Sequence, residues 1–160
     1  MGLELLRIRP GVSVGRAGRV LVLAYQEAPT ADDLKRREPM LARLVSESGA
    51  VAFLSVIDAR GATALPDAES RAETARQLEL YGHAVRAGGV VVRGDSLRVS
   101  LLRTLLRGLF AVRRSPFPHR FFAEIEPAAR FVLDRLGDPS DGDVAELARA
   151  AEAVELASRE

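Results

Sequence analysis

Asp58 and Arg60 follow the apolar run Val51 to Ile57 in the segment Asp58-Ala59-Arg60-Gly61. A carboxylate and a guanidinium two residues apart, at the C-terminal end of a central strand, stand where open α/β sheets receive polar ligands. The same spacing suits an Asp that caps its own turn. The histidines, His83 and His119, belong to no cluster with metal-ligand spacing, so no metal site is expected. No serine is read as standing on the strand-to-helix elbow of a hydrolase, and neither GxGxxG nor GxxxxGK[ST] occurs to cradle a phosphate. Cysteine is absent, which removes thiolate nucleophiles, thiolate metal sites and disulfides. The expectation is a chain that is not an enzyme and carries no cofactor.

The elements that position these residues follow from apolar period and turn chemistry. Leu3 to Arg9 reads as a strand closed by Pro10-Gly11, Val12 to Val14 as a hairpin arm, and Arg16 to Arg19 as a turn. Val20 to Tyr25, Val51 to Ile57 and Val90 to Val92 are short, β-branched apolar runs, the signature of strands buried on both faces. Thr30 is placed to cap a helix whose first turn holds Asp32 and Asp33; Leu34, Leu41, Leu44 and Val45 recur near helical spacing, and Ser48-Gly49 ends it. Asp67 caps a second helix, with Ser70 in its first turn. An apolar face of Ala68, Ala72, Ala75, Leu78, Leu80, Tyr81, Ala84 and Val85 carries that helix to about Ala87, where Gly88-Gly89 stops it. A third helix runs from Leu97 to Arg114, His119 to Ile125 is the last strand, and Ala128 to Leu136 is a fourth helix. Asp141 to Glu160 adds a terminal helix whose weak alanine stripe predicts light docking or a partner contact. Alternating strands and helices imply an α/β domain over residues 1–137, with a mixed, mostly parallel sheet of about five strands covered by helices, and a C-terminal helical extension over 138–160.

At 160 residues the chain has the length of one ordinary domain, and 48% hydrophobic with 28% charged residues is a globular composition. Its 23 basic and 22 acidic residues leave a net charge of +1, so no global field draws it to nucleic acid or an anionic membrane. The first ten residues interrupt their apolar positions with charges, unlike a signal peptide, and a cytoplasmic location is expected.

The third helix departs most from expectation for a surface helix. At about 100° per residue its apolar positions span more than half the circumference, while Arg103, Arg107 and Arg114 gather on a narrow strip. The excess apolar surface calls for a second subunit, the terminal helix, a membrane surface or an apolar ligand. Predicted strands on either side fix the helix in the fold, which disfavours a membrane role. An Arg strip without stacking groups disfavours nucleic acid.

From Gly89-Val-Val-Val-Arg-Gly94 through the helix Ser96 to Arg114, and on through Pro116-Phe-Pro-His-Arg-Phe-Phe122 and Glu126-Pro-Ala-Ala-Arg-Phe-Val132, the pattern resembles the STAS fold of anti-sigma-factor antagonists. The leading hairpin, three βα units and closing strand and helix are similar over most of residues 3–136. The resemblance implies a phosphorylatable Ser at the start of the second helix, where this chain has Ala68 after Asp67, with Ser70 nearby. It therefore implies a STAS-like regulatory or scaffold module acting through protein contacts, itself included, without the kinase switch. The contact candidates are Asp67, Ser70, Arg103, Leu106, Arg107, Phe110 and Arg114. The alternative is a small-molecule or lipid carrier with an apolar pocket between the 97–114 helix and the sheet, its ligand's polar head oriented by Asp58, Arg60 or Arg98.

Overall fold

Two glycines fold the start of the chain into a meander. Gly11 (φ 93°) and Gly18 (φ 58°) take left-handed conformations that β-carbon-bearing residues resist. They join β1 (Leu3–Arg9), β2 (Val12–Ala17) and β3 (Val20–Tyr25) in antiparallel register. The computed structural model describes residues 2–61, 66–113, 116–137 and 141–160, with the side chains of 110–113 and 141–142 outside that set.

From β3 to β5 each strand is followed by a helix and then a parallel neighbour. The order is α1 (Ala31–Ser48), β4 (Val51–Asp58), α2 (Ala68–Tyr81), β5 (Val85–Arg93), α3 (Ser96–Arg113), β6 (His119–Phe122), α4 (Ile125–Leu136) and α5 (Asp141–Ser158). A single 3-10 turn, Gly82–Ala84, leads into β5. The six strands lie side by side in chain order, antiparallel up to β3 and parallel from β3 to β6. Stepping always in the same direction across the sheet, right-handed crossovers put α1, α2 and α3 on one face. The alternation of β3 divides the core between the two layers. Leu21, Leu23 and Tyr25 pack with Leu41 and Leu44 of α1, whereas Val20, Val22 and Ala24 pack with α4 and α5.

The mixed, mostly parallel α/β sheet agrees with the expected class, with one strand more than expected. Val12–Ala17 is a full strand: Arg16, which reads as turn chemistry, stands in register between Glu4 of β1 and Leu21 of β3, and its side chain pairs with Glu47 at 2.6 Å. The second helix ends at Tyr81 rather than near Ala87, and Gly88 and Gly89 lie within β5 instead of stopping a helix. Close packing explains both glycines: a β-carbon at Gly88 would stand 2.9 Å from the His119 ring, and one at Gly89 would stand 3.2 Å from Val132. Ile125 opens α4 instead of ending β6.

The expectation of light docking for the terminal helix is overturned. Val144, Leu147, Ala151 and Val154 of α5 are fully buried in the same cluster as Val20, Val22 and Leu54. Val154 sits over Gly15, where a β-carbon would come within 2.7 Å of its Cγ2. At the helix end, Gly11 donates to the Ser158 carbonyl at 2.9 Å, and Gln26 Nε2 donates to Ser158 Oγ at 2.9 Å. Small residues mislead here, because an alanine stripe lets a helix approach a sheet closely even though each residue contributes little apolar area. Leu147→Ala is expected to lower the free energy of unfolding by about 2–5 kcal/mol in urea titration; a loss below about 0.5 kcal/mol would return α5 to a peripheral role.

Candidate functional site

The two faces of the sheet are covered unequally. Along β4, Ala52, Leu54 and Val56 are buried under α4 and α5, but the alternate residues Phe53, Ser55 and Ile57 are only partly buried although the strand is central. The reason lies in α2. Its buried face is not the alanine stripe but Ser70, Glu73 and Gln77, three polar residues at i, i+3 and i+7, while Ala68, Ala72 and Ala75 are exposed. A polar face seeks hydrogen bonds, and α2 finds them on α1 rather than on the apolar sheet. Gln77 Nε2 donates to the Leu34 carbonyl at 2.8 Å and to Glu73 Oε1 at 3.0 Å, and Ser70 Oγ donates to the Pro29 carbonyl at 2.8 Å. Arg76 pairs with Glu73 and Glu38, and its hydrogen bond holds the Glu73 carboxyl well below the ordinary range.

The space left over β4 is an apolar cavity of about 200 Å³. Its floor is Leu23, Phe53, Ile57 and Val90 of the sheet, α1 and α2 form one wall, and Leu102, Leu106 and Leu109 of α3 form the other. Helix α3 starts on Asp95, whose Oδ1 accepts from the Arg98 amide at 2.9 Å, and it touches the sheet through Val99, Leu102 and Leu106. Phe117 and His119 complete the lining, their rings tilted 36° with centroids 4.6 Å apart, and Phe117 meets Phe53 edge-on at 5.9 Å. Burial pushes His119 down to about 4, against a hydrogen bond with the Phe117 backbone that acts the other way.

The polar groups of the cavity gather at the α1 end. Arg37 is 8% exposed and lines the wall. Its Nη1 donates to the Tyr25 hydroxyl at 2.9 Å and its Nε to Gln77 Oε1 at 3.3 Å. Both partners are neutral, and among the described residues Arg37 makes no ion pair. Neither Arg37, Tyr25 nor Gln77 is singled out by motif, yet one signal is present in the sequence: Arg37 stands in the stripe Leu34, Leu41, Leu44, where a helix that packs on a sheet should be apolar.

The residues expected to act are distributed otherwise. Asp58 is buried at the end of β4 and accepts from the Arg60 amide at 2.9 Å, its Nε at 3.0 Å and its Nη2 at 2.8 Å. This fork keeps the Asp58 carboxyl below its ordinary range and closes the turn, outside the cavity. Arg98 pairs with Asp95 at 3.3 Å on the outer surface. The structure therefore corrects the idea that Asp58, Arg60 or Arg98 orients the head of a ligand under α3. Asp67 caps α2 through the Ser70 amide at 2.8 Å. Ser70 is fully buried with its hydroxyl engaged, which corrects its reading as a contact residue. Leu106 lines the cavity, Arg107 lies over the Phe121 ring at 5.3 Å, and Arg103 is half buried with its Nε lacking a hydrogen bond among the described residues. The Phe110 side chain and Arg114 lie outside the described residues.

Gly11-Val12-Ser13-Val14-Gly15 spells the Gly-x-Ser-x-Gly of a nucleophile elbow, but the backbone is wrong for it. Ser13 lies in β2 between Arg7 and Ala24, wholly buried, with no helix following the strand. Among the described residues no group of three or more His, Asp and Glu could hold a metal ion, and no helix is long and apolar enough to cross a membrane. No protein-family model matches the chain, and no curated protein matches it.

His119 fixes a pH dependence at this site. Its folded pKa of about 4 lies below the roughly 6.5 of an unfolded histidine, so between those values only the unfolded chain takes up the proton. Stability is therefore unaffected by this group above about pH 7 and falls as the pH drops from about 6.5 toward 4. The loss is expected to be on the order of 2 kcal/mol, allowing for partial exposure. Urea titrations at pH 7 and 4.5 should show it in the wild type and not in His119→Gln; equal slopes in the two proteins would refute the assignment.

Proposed function

We propose that the chain is a STAS-like module without catalytic activity that binds a small apolar molecule between α3 and the sheet. The observation that carries this reading is the gap over β4: a central strand whose alternate side chains, Phe53, Ser55 and Ile57, stay partly exposed to a cavity walled by leucines. Protein interiors pack at close to crystal density, so an apolar void of this size is costly to keep empty. An apolar cavity of roughly 150 Å³ stays dry and holds a benzene-sized molecule, which sets the scale of ligand expected in about 200 Å³. The STAS-like assignment is supported by a leading antiparallel hairpin, βα units crossing in one direction, and a closing strand and helix. Ala68 at the opening of α2 argues for a ligand rather than a phosphoryl group as the signal.

Octan-1-ol is a suitable probe. Its titration should shift the methyl resonances of Leu102, Leu106 and Val90 in the wild type. Leu106→Trp, which fills the cavity from α3, should weaken binding by tenfold or more while preserving the fold. Undiminished binding by that variant would show that the alcohol sits elsewhere.

Self-association is a second reading, favoured by the outer face of α3. Leu97, Leu101 and Leu105 recur every four residues and are 71%, 58% and 36% exposed, a stripe that solvated helices rarely carry. A second copy meeting this stripe would bury it in the isologous manner of most homodimers. Light scattering should then report a dimer that Leu101→Arg converts to a monomer. A wild type that is monomeric at high concentration would remove the reading.

A further inference from the structure

We propose that the ligand is an anion, a small carboxylic acid with an alkyl or aryl body, and that Arg37 binds its carboxylate at the α1 end of the cavity. The inference rests on the binding role assigned to the cavity and adds the chemistry of what enters it.

Arg37 is the reason. Removing a guanidinium from water costs far more than neutral hydrogen bonds return, and buried arginines are ordinarily matched by a carboxylate. Two arginines that approach the interior follow that rule: Arg9 with Asp33 at 2.9 Å, and Arg93 with Glu155 at 3.1 Å. Arg37 is more deeply buried than either of them and faces only the Tyr25 hydroxyl and the Gln77 amide oxygen. The nearby carboxylates are committed elsewhere, Asp33 to Arg9 and Glu73 to Arg76. Nη2 of Arg37 makes no hydrogen bond among the described residues, and the side chain lines the cavity.

The geometry supplies the rest of a carboxylate site. Tyr25 and Gln77 hold the guanidinium from two sides, fixing its plane, and a fixed planar fork is what distinguishes arginine from lysine as a carboxylate receptor. The Tyr25 hydroxyl accepts from Arg37 and keeps its own proton to donate to the second carboxylate oxygen. Away from this corner the walls are Leu102, Leu106, Leu109 and Phe117, which suit the body of the acid and offer no competing charge. The pairing resembles many ligand sites, with a mostly apolar lining and a few convergent polar groups setting orientation.

The test compares octanoate with octan-1-ol on the full chain by calorimetry. Octanoate is expected to bind tenfold or more tighter than the alcohol, and Arg37→Gln is expected to erase that preference while leaving the alcohol's affinity within a factor of two or so. Retained alcohol binding by the variant shows that its cavity is intact. Should Arg37→Gln fail to fold, the Arg37 Nε–H resonance of the wild type decides, moving downfield with octanoate and not with octan-1-ol. Equal affinity of the wild type for acid and alcohol would overturn the anion site and leave the apolar cavity standing. Binding of neither would overturn the cavity reading itself.

Discussion

Everything distinctive about the open face of this protein depends on the polar seam between α1 and α2. Were α2 to bury an apolar stripe, it would settle on β4 and β5 as a helix in a doubly wound sheet does, and close the layer. It instead presents Ser70 and Gln77, whose hydrogen bonds are answered by Pro29, Leu34 and Arg37, with Glu73 bonded to Gln77 and Arg76 beside them. Unsatisfied buried polar atoms cost more than modest apolar contacts return, so the seam decides where α2 lies. The helix is held beside α1, and the sheet beneath it is left half covered. The cavity is thus a consequence of hydrogen-bond satisfaction rather than of poor packing.

The opposite face shows what the sheet does when its helices are apolar. Alanines and valines of α4 and α5 approach closely enough to bury alternate residues of β3 and β4 completely, and Gly15 and Gly89 have no β-carbon to hold them off. Hydrogen bonds at Ser158 pin the end of α5 to Gly11 in the β1–β2 turn and to Gln26 just after β3. A domain sealed on one side and open on the other concentrates its stability in the sealed half. Loosely covered segments near binding sites belong to the less stable end of a fold as a rule. The sheet, fixed from behind by α5, can therefore act as a rigid floor for a site whose walls are helices.

Sequence made most of the frame legible, because backbone rules act locally. Thr30 caps α1 through a reciprocal capping box with Asp33, and Gly49 ends it in the left-handed conformation. The apolar β-branched runs become β3, β4 and the heart of β5. What periodicity could not distinguish was which face of α2 is buried, since a stripe of alanine looks apolar while carrying little driving force, and a stripe of Ser, Glu and Gln looks solvated until its partners are known. The glycine pair in β5 failed for a related reason: glycine marks either a stop or a close approach, and only the position of His119 and Val132 separates the two. Arg37 was visible as a charge in an apolar stripe, a local conflict of the kind that functional sites tolerate. Asp58 and Arg60 had the more suggestive spacing and proved to satisfy each other.

Helix α3 joins the two readings of function in one element. Leu102 and Leu106 turn inward and serve both to anchor the helix and to line the cavity, so the contacts that would hold a ligand are the contacts that hold α3. Leu97 and Leu101 turn outward and touch neither. Among the described residues the apolar anchoring of α3 on the sheet side rests on Val99, Leu102 and Leu106, and a ligand adding apolar contacts to Leu102, Leu106 and Leu109 would add to it directly. An arginine at the far end of the cavity has no part in that anchoring, because it belongs to the α1–α2 seam. Head-group recognition is therefore separable from the packing of α3, and the over-wide apolar arc that marks this helix in the sequence resolves into an inner face with a structural claim on the cavity and an outer face with none.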